Sequence, residues 1–75
     1  MESVLVYLNS GEIIGGKVLE RTDYFLTLIE AVKVKESKEL DFTTIHEITG
    51  TLGTITIGLD AVLIVQDWHT EKSDP

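Results

Sequence analysis

Two adjacent glycines, Gly15 and Gly16, interrupt the apolar stretch GEIIGGKVLERTDYFLTLI that runs from Gly11 to Ile29. Glycine weakens a strand interior, so a pair there marks a sharp bend or a close backbone approach, as in a small curved sheet. Upstream, Asn9-Ser10-Gly11 is a turn signal in which Gly11 can take the positive φ that other residues resist. Arg21-Thr22-Asp23 forms the next corner. From Tyr24 the chain is apolar again, with aromatic and branched residues suited to a strand buried on both faces.

The rest of the chain supplies partners for this bent strand. Val4 to Leu8 alternates as a first strand, and the turn at Asn9 to Gly11 joins it in a hairpin to a second strand, Ile13 to Arg21. A third strand runs from Tyr24 to about Val34, and Lys33 to Glu39 is then expected to be a solvated, mixed-charge hairpin loop. In residues 40–49, Phe42, Ile45 and Ile48 recur at a spacing of three, which predicts a short helical turn between strand pieces. Strand alternation returns from Leu52 to Gly58, Leu59-Asp60-Ala61 makes a tight corner, and Val62 to Val65 is a last, wholly apolar strand. The pattern predicts an all-β chain with no long helix: a small, five-stranded, strongly bent antiparallel barrel. Residues 1–66 form the single domain of this reading, and residues 67–75 a polar tail.

A chain of 75 residues buries only about 60–65% of the surface its unfolded form exposes, so its core is marginal. It has no cysteine, which removes disulfides and thiolate metal sites. The two histidines, His46 and His69, lie far apart with no carboxylate pattern around them and read as ordinary surface residues, so no metal or other cofactor is expected. Pairing with further copies is the remaining support. No apolar run approaches the ~20 residues of a membrane span, and the start lacks a basic region, so a cytoplasmic protein with no membrane partner is expected. Thirteen acids against six bases give a net charge of −7. That charge repels polyanions at long range, so any nucleic-acid contact must be local. No nucleophile arrangement and no phosphate-cradling glycine loop occurs, and no catalytic residue is assigned.

The pattern resembles the Sm and Sm-like proteins, including the bacterial Hfq branch, over about residues 4–31 and 52–65. Leu8, Ser10-Gly11, Gly16, Val18, Asp23, Tyr24 and Phe25 match the family's first motif without a gap, with Leu26 where that alignment places the motif's Asn. Leu52 to Ile57 is similar to the approach strand of the second motif, and Asp60-Ala61-Val62 to its Asp-Asn-Val corner, with Gly58-Leu59 in place of the Arg-Gly pair. The resemblance implies an SH3-like barrel whose copies close into a homo-oligomeric ring by pairing the fourth strand of one with the fifth strand of the next. Ile55, Ile57, Val62 and Ile64 would lie at that joint, in roughly five to seven copies. It also implies that single-stranded RNA, or DNA, is held at loops carrying Asp23, Tyr24, Leu26, Gly58 and Asp60, with a base stacked on the aromatic ring.

Each of these residues also has a plainer role. Tyr24 is a base platform or an aromatic at a strand start whose hydroxyl reaches solvent, and Asp23 is expected to fix its corner by accepting backbone amide protons. Lys17 and Arg21, the only arginine, are the basic candidates. Glu36 and Glu39 dilute the field of Lys33, Lys35 and Lys38. Trp68 is expected to cover a barrel end. Against the nucleic-acid reading stands an acidic interaction or scaffold ring that binds no nucleic acid.

Overall fold

The computed structural model describes residues 1–68, so His69 and the rest of the expected tail lie outside the described residues. Strands β1 (Ser3–Leu8), β2 (Ile13–Arg21), β3 (Phe25–Lys38) and β4 (Thr44–Gly58) are followed by a 3₁₀ turn at Leu59–Ala61 and strand β5 (Val62–Asp67). They form one antiparallel sheet in the order β4-β3-β2-β1-β5. The all-β, five-stranded, antiparallel expectation holds. The sheet is open, however, with β4 and β5 as its two edges, so the strands of one copy do not close a barrel.

The sheet is bent where the glycines stand. The β2–β3 register shifts between Gly15 and Lys17 and again between Val18 and Glu20, and such irregularities bend the strand that carries them. At Gly16 the two strands come close: a Cβ there would lie 3.2 Å from Leu28 Cβ and 3.3 Å from Ala31 Cα. The β1–β2 turn forms where Asn9-Ser10-Gly11 predicts it, with the Gly11 amide donating to the Leu8 carbonyl at 2.9 Å and Gly11 at φ 97°.

Bending lets one face of the sheet wrap a core of Val4, Val6, Ile14, Leu26, Leu28, Ala31 and Ile57. Leu8, Val18, Ile55, Leu59, Val62 and Val65 pack around it. Burying a leucine side chain fully contributes about 1.5–3 kcal/mol, so Leu26 and Leu28, both 0% exposed, are principal contributors. Strand alternation turns Leu5 to the opposite face, where it is nevertheless buried. It pairs there with Gly15, against which the Trp68 ring packs.

Two sequence expectations are corrected. Lys33 to Lys38 is not a loop but the distal end of β3, because β4 runs alongside it in register: Lys35 stands opposite Glu47, and Glu36 opposite His46, whose Nε2 lies 3.1 Å from Glu36 Oε2. Polar cross-strand neighbours of this kind contribute roughly 0.2–1 kcal/mol each, so an exposed polar segment can extend a strand. Residues 40–49 contain no helical turn; a tight turn at Glu39 to Thr43 leads straight into β4. The spacing of three arises because Phe42 is in the turn, and Ile45 and Ile48 fall on opposite faces of an exposed strand whose register then slips between Lys33 and Val34.

Candidate functional site

Two corners meet at one end of the sheet. The first, between β2 and β3, is held by Thr22, whose hydroxyl accepts from the amides of Tyr24 at 3.1 Å and Phe25 at 3.0 Å, while its own amide donates to the Phe25 carbonyl at 2.9 Å. The corner-fixing role expected of Asp23 therefore belongs to the Thr22 hydroxyl, a turn motif open to Ser and Thr as well as Asp. The second corner is Gly58 to Ala61. Its Leu59 amide donates to the Tyr24 carbonyl at 2.9 Å, and Gly58 pairs with Phe25. Asp23-Tyr24 and Gly58-Asp60, distant in the chain, are thus brought together.

Gly58 has an ordinary extended backbone, φ −69° and ψ 135°, so its glycine is not required by conformation. A Cβ there would meet the Asp60 carboxylate at 3.0 Å. Asn9 braces the same corner: its backbone amide donates to the Ala61 carbonyl at 2.9 Å and its side-chain amide to the Asp60 carbonyl at 3.4 Å.

Tyr24 is 74% exposed and Phe25 51%, which leaves two neighbouring aromatic rings open to solvent at the junction. Leu26 does not share that surface. Its side chain is wholly buried in the core, because alternation from Phe25 turns it inward. The same alternation turns Phe25 and Thr27 to the accessible side, where Thr27 Oγ1 lies 3.1 Å from Thr56 Oγ1 on β4. The sequence reading names Phe25 only as part of the first motif and assigns neither it nor Thr27 and Thr56 to the site, although the period of two on β3 puts Phe25 and Thr27 on one face.

The two basic candidates part company. Lys17 Nζ stands 3.1 Å from Glu30 Oε1, an exposed pair worth about 0–1 kcal/mol that nonetheless occupies the cation. Arg21 is exposed and lines a groove of about 470 Å³ together with Glu2, Leu63, Gln66 and Asp67. The junction itself carries Asp23 and Asp60. It offers aromatic stacking surface and hydroxyls, with little to neutralise a phosphate.

Of the residues expected at a joint between copies, Ile57 is 8% exposed and belongs to the core, and Ile55 and Val62 are half-buried against it. Ile64 is 55% exposed on the β5 edge, and its neighbour Leu63, which the sequence reading passed over, is 66% exposed. Among the described residues no group of three or more His, Cys, Asp and Glu side chains is placed to hold a metal, and no helix is long and apolar enough to cross a membrane. The chain matches no protein-family model and none of the curated proteins with which it was compared.

Proposed function

We propose that the protein is a divergent Sm-like module whose copies join edge to edge into a homo-oligomeric ring and hold single-stranded RNA, or DNA, at the corner carrying Tyr24. The observation that carries this reading is the bond from the Leu59 amide to the Tyr24 carbonyl, which joins the two corners beside a pair of exposed aromatic rings. Tyr24 and Phe25 supply the stacking surface, and the hydroxyls of Thr27 and Thr56 the polar edge. Stacking contributes about 1–3 kcal/mol per base, and a ring repeats the contact once per copy. Assembly follows from the open sheet. An unpaired edge is a template for another strand, and β4 against the β5 of a second copy would satisfy both edges while covering Leu63 and Ile64.

The net charge of −7, with Asp23 and Asp60 at the junction, favours a second reading: an acidic ring that scaffolds a basic peptide. Light scattering followed by titration with labelled oligouridine at low salt separates the two. A closed oligomer that binds supports the nucleic-acid reading. A closed oligomer that binds nothing leaves the scaffold.

A further inference from the structure

The tip of the β3–β4 hairpin holds two large apolar side chains clear of the rest of the chain: Leu40 is 99% exposed and Phe42 84%. The turn beneath them is well formed. The Phe42 amide donates to the Glu39 carbonyl at 2.9 Å, the Glu39 amide to the Thr43 carbonyl at 2.9 Å, and the Thr43 amide to Asp41 Oδ1 at 3.0 Å. Phe42 sits at φ 70°, a left-handed conformation that glycine takes freely and a bulky residue resists. Neither packing nor backbone conformation within the chain accounts for an aromatic residue there. Exposed apolar side chains on a hydrogen-bonded turn are the kind of feature that anchors an interface.

The same chain carries a surface that fits this tip. A groove of about 720 Å³ has Ile14, Leu52 and Ile55 in its lining and Lys33 and Lys35 beside them. Neither lysine is in an ion pair among the described residues. Of the two carboxylates in the lining, Glu36 is engaged by the Tyr7 hydroxyl at 3.0 Å and His46 Nε2 at 3.1 Å, and Glu12 accepts from Ser10 Oγ at 3.3 Å. The tip, Glu39-Leu40-Asp41-Phe42, is acidic and apolar. It complements an apolar groove with free lysines. A hairpin cannot fold its tip back onto its own strands, and Lys35 and Thr49 of the groove lie on the strands that carry the tip outward.

We propose that the Leu40–Phe42 tip docks into this groove of a second copy, and that the two copies exchange tips about a two-fold axis. The stretch from Lys35 to Leu40 spans roughly 17 Å at the rise of an extended strand, so two antiparallel hairpins side by side bring each tip over the other's groove. Reciprocal docking closes at two copies and engages side chains of β2, β3 and β4 at the groove, whereas edge pairing uses the unpaired backbone of β4 and β5.

The test is the solution mass of the full chain, measured by light scattering for the native sequence and for Phe42→Gly, Leu40→Ser and Asp41→Lys. Glycine suits the φ at position 42, so that variant keeps its fold, which its melting temperature checks. Each of the three is expected to halve the mass, and Lys35→Asp combined with Asp41→Lys to restore it. A mass that Phe42→Gly leaves unchanged in a folded protein overturns the proposal, as does a charge reversal that Lys35→Asp fails to rescue.

Discussion

The Trp68 ring occupies the space that a side chain at position 15 would need, so Gly15 and Trp68 fit only as a pair. The contact lies on the face of the sheet opposite the main core. On that face Leu5, the cross-strand partner of Gly15, is 1% exposed although its neighbours Val4 and Val6 point the other way. The Trp68 amide also donates to the Ser3 carbonyl at 3.0 Å, tying the end of the described chain to its beginning.

Gly15→Ala should therefore expel the indole. The expected result is a loss of about 1–3 kcal/mol in equilibrium unfolding, the usual range for overfilling a packed site. The emission of the single tryptophan should shift to the red at the same time. Unchanged emission would place the indole elsewhere.

Burial divides the apolar residues of the β3–β4 hairpin into two groups. Leu28→Ala, at a site 0% exposed, should cost about 2–5 kcal/mol by denaturant unfolding. Ile48→Ala, at a site 56% exposed, should stay within about 0.5 kcal/mol.

Tyr7 gives a pH dependence. Burial first, then its hydrogen bond to Glu36 and the charge of that carboxylate, raise the Tyr7 hydroxyl above its ordinary value of 10.0. A pKa higher in the folded state means that the folded protein binds the proton more tightly. The contribution is therefore fully present below pH 10 and lost as pH rises through the folded value. Spectrophotometric titration in a Tyr24→Phe background should find the Tyr7 midpoint above 10, and Glu36→Gln should lower it by removing the charge.

Much of this fold is legible in residue order because local signals act alone. The turn at Gly11, the bend at Gly15-Gly16 and the corner at Leu59 to Ala61 each follow from short-range chemistry. The distal half of the β3–β4 hairpin is not legible, since the lysines and glutamates of β3 become strand residues only when β4 sets Glu47 and His46 opposite them. Closure is equally invisible: an alternating pattern is the same in an open sheet and in a barrel. At the candidate site, the resemblance points to Asp23, Tyr24, Gly58 and Asp60, whose two corners the structure brings together. It misassigns Leu26 because a resemblance aligned residue by residue ignores which side of β3 each residue faces.

The most direct test of the central claim is the affinity of the protein and of Tyr24→Ala for a labelled oligouridine at low salt, by fluorescence anisotropy. Loss of a stacking contact of about 1–3 kcal/mol in each copy predicts weakening of at least roughly fivefold, without change in solution mass. Equal affinity for the two proteins, or no binding by either, would contradict the assignment of Tyr24 as a base platform.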